Sequence, residues 1–122
     1  MIPNASHLRI ENAAKGVRVA DRARLANRFW SRLIGLLGRS HLSAGEGLVL
    51  APGNAIHTLF MRMAIDVIFV DKNGEVVKTA VKVRPFRMVM CPLRTRYTVE
   101  LPVGVIEQTG TVVGDRIEFF PA

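Results

Sequence analysis

Apolar and polar positions follow two different rhythms along the chain. From Arg22 to Leu37 the apolar residues are Leu25, Ala26, Phe29, Trp30, Leu33, Ile34, Leu36 and Leu37. Spacings of three and four dominate, which is the helical period. Arg24, Arg28, Ser31 and Arg32 fall on the opposite face, Asp21 is placed to cap the start and Gly38 to end it. This pattern predicts one amphipathic helix with Trp30 on its buried side. Just before it, residues 16–20 alternate and predict a short strand. After it the texture changes to short β-type runs at Leu48–Ala51, Ala55–Met61, Asp66–Val70, Glu75–Val83, Tyr97–Leu101 and Arg116–Phe120. The third and fourth runs flank Asp71-Lys72-Asn73-Gly74, and Asn-Gly is a strong hairpin signal because both residues tolerate positive φ. Pro52, Pro85, Pro92, Pro102 and Pro121 stand at or just beyond run ends, where a missing N–H does least damage. The expected fold is mainly β: an antiparallel barrel or sandwich with the N-terminal helix packed on it. Residues 1–15 lack periodicity and read as a loose lead-in to a single domain over residues 16–122.

Composition limits the function classes. The 122 residues suit one domain, and a hydrophobic fraction of 49% supplies a core. No apolar run reaches the ~18 residues of a membrane span, and residues 1–16 lack a signal-peptide core, so a soluble, cytoplasmic protein without a membrane partner is expected. The single Cys91 excludes an internal disulfide and a multi-cysteine zinc site. His7, His41 and His57 lack metal-ligand spacing, so no metal and no cofactor is expected.

Charge adds a possible partner class. The chain carries 17 basic and 10 acidic residues, a net charge of +7. The excess gathers in residues 1–40 and again from Lys78 to Arg96, where there are six basic residues and no acid. Folded side by side, these regions would present a face attractive to nucleic acid or another polyanion. A basic face also serves solubility alone, and aromatic interleaving of the kind that reads single strands is limited to Tyr97 beside Arg94 and Arg96.

Specific motifs cluster in the middle of the chain. They run Arg32-Leu33-Ile34-Gly35-Leu36-Leu37-Gly38-Arg39, then Gly45-Glu46-Gly47-Leu48, then Ile56-His57-Thr58-Leu59-Phe60-Met61-Arg62 and Ile65-Asp66-Val67-Ile68-Phe69-Val70-Asp71. Val99-Glu100-Leu101-Pro102-Val103-Gly104 and Gly114-Asp115 follow. From Val17 to Phe120 the chain resembles the DUF192 family, also called UPF0127. The resemblance implies a small, mostly β domain with a helix near its start and no established activity. Many family members have a cysteine after the proline matching Pro52, and this chain has Gly53 there.

The candidate site residues are His57, Arg62, Asp66, Glu46 and Arg39. A histidine, a guanidinium and a carboxylate together bind a small anion or polar metabolite, or move a proton. The first reading is therefore a small-ligand binding or interaction module. The alternatives are a small enzyme with His57 as base and Asp66 as its orienter, and nucleic-acid binding through the basic surface. Each candidate also has a structural alternative: a buried His57, an Arg62–Asp66 pair closing a turn, and a Glu46–Arg39 pair fixing the helix exit. Glu100, alternating out of phase with Val99 and Leu101, and Asp115 carry no site assignment of their own.

Overall fold

In a computed structural model the described residues are 2–26, 42–51, 56–57, 63–85 and 87–122. Nine strands are found among them: β1 His7–Asn12, β2 Val17–Ala26, β3 Glu46–Leu50, β4 Ile56–His57, β5 Ile65–Asp71, β6 Val76–Val83, β7 Met88–Val89, β8 Thr95–Leu101 and β9 Ile117–Pro121. One short helix, α1 Val105–Thr109, also lies among the described residues. Seven strands form a curled, half-barrel sheet in the order β6-β5-β8-β3-β2-β1-β9, and β4 pairs with β7 as a separate ribbon. All pairings are antiparallel except β2 with β3.

Alternation sorts the side chains onto two faces. The inner face collects Leu8, Ile10, Ala23, Val49, Ile68, Val70, Val99, Leu101, Ile117 and Phe119 into one buried cluster to which all seven strands contribute. This is the interior of the curl, and Ile106 of α1 packs into it. A second buried cluster on the outer face joins Ala26, Leu48, Leu50, Ile65, Val67, Phe69 and Val83, with Met63, Val89 and Cys91 packed against it. It covers only the β3, β8, β5 and β6 half of the sheet and the end of β2.

Three expectations need correction. Residues 7–12 belong to the sheet rather than to a loose lead-in: Leu8, Ile10 and Asn12 point inward with 0% exposure, between β2 on one side and β9 on the other. Arg22–Ala26, expected to open the amphipathic helix, continue β2. On the strand Ala23 turns to the inner face and Ala26 to the outer, and hydrogen-bonded neighbours on both sides, β1 and β3, decide for the strand. The remainder of that predicted helix, from residue 27 onward, lies outside the described residues. The sheet is also not purely antiparallel, because β3 returns alongside β2 in the same direction.

The Asn-Gly hairpin forms where expected, between β5 and β6. Its geometry rests on Asp71, whose Oδ1 accepts the Asn73 and Glu75 N–H groups at 2.9 Å. Only Gly74 takes positive φ there, at 89°. The Gly74 carbonyl accepts the Ile117 N–H at 2.7 Å, and Val76 N–H donates to the Asp115 carbonyl at 2.8 Å. The isolated bridge Glu75–Arg116 therefore pinches the two edges of the half-barrel together at one point. A Cβ on Gly74 would lie 2.6 Å from the Ile117 carbonyl oxygen. Gly74→Ala is expected to cost about 2–4 kcal/mol, from positive φ plus displacement of the closing strand. A shift of the urea midpoint with unchanged m-value would measure it.

Candidate functional site

Asp66 is the sequence candidate that the structure defines most fully. It sits opposite Leu101 on the inner face of β5 and is 1% exposed. Its Oδ1 accepts the Lys82 N–H at 2.9 Å. Its Oδ2 accepts the Gly104 N–H at 3.1 Å and the Ile106 N–H at 3.0 Å. Gly104 is the residue that precedes α1, at φ 103°, and it has no side chain with which to cap the helix. Asp66 supplies that cap from another strand, satisfying two of the orphan donors at the helix start. It also holds the end of β6, where Lys82 takes the left-handed φ of 51°. The carboxylate thus pins α1 and β6 to β5 through three backbone amides.

The other candidates divide between outer face and undescribed segments. Glu46 opens β3 in register with Arg22 of β2, and its Oε1 accepts the Ser43 N–H at 2.7 Å. Ser43 O in turn accepts the Glu46 N–H at 3.0 Å, and Gly45 between them takes φ 85°. This closes the turn expected at residues 43–47. His57 is placed by its backbone alone: β4 pairs it with Met88 of β7. Val89, its neighbour on β7, packs against the outer-face cluster, which seats the β4–β7 ribbon on that side of the sheet. Arg62 and Arg39 lie outside the described residues, and so do the Arg62–Asp66 and Glu46–Arg39 pairs.

The residue that sequence reasoning passed over is Glu100. In β8 it stands directly opposite Leu48 of β3 and Val67 of β5, while Thr98, one step along, stands opposite Leu50 and Phe69. All four neighbours belong to the outer-face cluster. Two polar side chains therefore form a short column in the middle of an apolar face, with Thr98 0% and Glu100 4% exposed. Among the described residues, none donates a hydrogen bond or presents a cation to the Glu100 carboxyl. Burial alone pushes its pKa up to about 8. The signal was present in the strict alternation of Tyr97-Thr98-Val99-Glu100-Leu101, which places Thr98 and Glu100 on one face. What alternation could not reveal was that both faces of β8 are buried.

The outer face changes character across β2. On the β2, β1 and β9 side it is polar: Arg18 Nε donates to Glu11 Oε1 at 2.8 Å, Arg9 Nε lies 3.1 Å from the same oxygen, and the Arg9 guanidinium stacks 4.6 Å from the Phe120 ring centroid. Several basic residues of the second charge cluster are engaged locally. Lys78 Nζ donates to the Met90 carbonyl and lies over the Phe69 ring, and Arg94 pairs with Glu75. Elsewhere, a groove of about 180 Å³ opens at the seam of the half-barrel, lined by Tyr97, Arg116, Glu118, Phe119 and Phe120 among others. Among the described residues no cluster of His, Cys, Asp and Glu is arranged to hold a metal ion, and no helix is long and apolar enough to cross a membrane.

These features define a small half-barrel β domain that buries an acid–hydroxyl pair on the outer face of its sheet. The chain belongs to the DUF192 family, described as uncharacterized ACR, COG1430, whose model matches residues 10–119. A UPF0127 protein of Pyrococcus furiosus is 38% identical over 111 residues, covering 88% of this chain and 95% of its own length. One of Thermococcus sibiricus is 32% identical over 112 residues, 88% of this chain and 72% of that protein. Among solved structures, a protein of unknown function from Novosphingobium aromaticivorans superposes with a TM-score of 0.81 at 20% identity, over 97% of this chain and 91% of the other. A putative transcription regulator from Sinorhizobium meliloti superposes with a TM-score of 0.77 at 21% identity, over 93% and 92% of the two chains. At these identities the structural likenesses speak for the fold.

Proposed function

We propose that this domain binds a small polar ligand on the outer face of its sheet, between the Thr98–Glu100 column and the β4–β7 ribbon that carries His57. The observation that carries the proposal is the Glu100 carboxyl, buried among Leu48 and Val67 with no partner among the described residues. A buried carboxyl without a partner costs stability, and such groups gather at sites where a ligand completes them. Glu46 and Arg22 lie on the same face at its polar border, which supports the notion of a rim. Asp66, by contrast, points to the inner face with both oxygens occupied, so it gives no support to a His57–Asp66 acid–base pair. Nucleic-acid binding draws less support, because Arg9, Arg18, Lys78 and Arg94 all have local partners.

The test is a thermal-shift screen of small carboxylates, phosphates, sugars and amines, followed by amide chemical-shift mapping of any compound that raises the melting midpoint. Perturbations are expected at Leu48, Val67, Thr98 and Glu100, and His57→Ala should weaken the binder. Perturbations confined to the seam groove around Tyr97 and Arg116 would overturn the placement. A screen without any binder would overturn the function.

A further inference from the structure

We propose that the groove at the seam of the half-barrel is a second ligand site, and that it takes a short zwitterion, a small molecule with a carboxylate at one end and an ammonium group at the other. This site lies apart from the outer-face site above and does not depend on it.

The groove measures about 180 Å³. A cavity of roughly 150 Å³ admits a benzene molecule, so the seam suits a ligand of about that size or slightly larger. Arg116 immediately precedes β9, and Glu118 is the second residue of that strand. Two residues apart in extended chain, they fall on one face with backbones about 7 Å apart. Both are exposed and both line the groove. Arg116 Nη1 donates to the Asn73 carbonyl at 3.1 Å. That bond holds the guanidinium at the hairpin tip, and its other N–H groups are left for a ligand. Glu118 stands directly opposite Glu11 of β1. Like charges so placed repel, and Glu11 already holds Arg9 and Arg18. Among the described residues no cation is paired with Glu118. A fixed guanidinium and an uncompensated carboxylate therefore border one small groove. A ligand with a charge of each sign satisfies both, whereas a simple anion meets Glu118 and a simple cation meets Arg116.

The backbone offers the same combination. The Arg116 carbonyl accepts the Ala13 N–H, and the His7 carbonyl accepts the Ala122 N–H, so these residues form the hydrogen-bonded pairs between β1 and β9. Ile117, between such pairs, turns its N–H away from β1 to the Gly74 carbonyl. By the alternation of an antiparallel ladder, the Phe119 N–H and C=O also point away from β1, to the open edge beside the groove. One donor and one acceptor there match a carboxylate and an ammonium. The edge is too short to add a peptide strand: Gly74 occupies the Ile117 N–H, and Pro121 has no N–H to give. The Tyr97 and Phe119 rings, edge to face at 5.4 Å, add an apolar wall against which a short methylene chain packs.

The experiment follows amide chemical shifts of the full chain during titration with 4-aminobutyrate and 6-aminohexanoate, with butyrate and butylamine as single-charge controls. The zwitterions are expected to shift the Gly74, Ile117 and Phe119 amides and to bind about tenfold or more tighter than either control. Arg116→Gln and Glu118→Gln should each weaken 4-aminobutyrate about five- to tenfold. Glu118→Gln leaves the Arg116–Asn73 bond in place, so it stays decisive if Arg116→Gln loosens the hairpin. Butyrate or butylamine binding as tightly as 4-aminobutyrate, or an unchanged affinity in Glu118→Gln, overturns the zwitterion assignment. Absence of binding by both zwitterions, or binding that leaves Gly74, Ile117 and Phe119 unmoved, overturns the site. None of these outcomes bears on the Thr98–Glu100 column, which is tested by shifts at its own residues.

Discussion

Asp66→Ala is expected to lose about 3–5 kcal/mol of folding stability, a large share of what a domain of this size possesses. The carboxylate accepts three backbone N–H groups from two separate segments and is 1% exposed. Truncation leaves the amides of Lys82, Gly104 and Ile106 without their acceptor in a buried setting, where water replaces it poorly. It also removes the cap of α1, whose preceding residue, Gly104, has no side chain to substitute. Asp66→Asn keeps an acceptor for one segment and turns an amide N–H toward the other, so it should fall between the two, at about 2–3 kcal/mol. Urea midpoints give the order wild type, Asn, Ala. Faster hydrogen exchange at Gly104 and Ile106 in the Asn variant would place the defect at the helix start. An alanine variant within about 1 kcal/mol of wild type would show that the carboxylate is not holding these segments and would return it to the set of ligand candidates.

The contrast between Asp66 and Glu100 marks how far the sequence is legible. Strands β3, β5, β6, β8 and β9 lie close to runs that alternation and turn residues pick out. Turn chemistry is local, so Asp71-Lys72-Asn73-Gly74 declares its hairpin without reference to the rest of the chain. β1 escaped notice because its outward positions are His7, Arg9 and Glu11 and its third inward residue is Asn12, a polar group whose burial depends on distant partners. Asn12 Nδ2 donates to Thr111 Oγ1 and to Asp115 Oδ2, both at 3.0 Å and about a hundred residues away. Arg22–Ala26 were misassigned because Leu25 and Ala26 stand at helical spacing from Phe29 and Trp30, and pairing on both edges, which spacing does not show, makes them strand. The site shows the same division. An aspartate entering an apolar strand was recognisable as a group that must be partnered, but its partners are backbone amides, which carry no residue identity. Glu100 was recognisable only as out of phase with its neighbours. Its significance depends on which sheet face is covered, and that is a property of the assembled half-barrel.

The stability of the domain should fall as pH rises from about 5 to about 8, and Glu100→Gln should remove most of that slope. Burial raises the Glu100 carboxyl from the ordinary 4.5 to about 8 in the folded chain. Between those values the folded state holds a proton that the unfolded state has released. Each pH unit therefore takes away about 1.4 kcal/mol, or about 4 kcal/mol from pH 5 to pH 8, and the slope flattens once both states are ionised. Asp115 acts in the opposite sense at the acid end. Burial disfavours its charge, but Asn12, the Val112 N–H and Lys15 outweigh that and hold its pKa below the usual aspartate value. Its contribution is present at neutral pH and is lost as acid protonates the folded carboxylate. The two groups together place maximum stability on the acid side of neutrality, near the ordinary range of a glutamate. Urea unfolding at pH steps of about one unit, on wild type and Glu100→Gln in parallel, isolates the Glu100 share because every other titrating group is common to both. Parallel profiles would mean that the Glu100 carboxyl is ionised and partnered at neutral pH. A slope present only in the wild type would identify a carboxyl that the fold keeps neutral at a cost in stability, the behaviour expected of a group retained for what it binds.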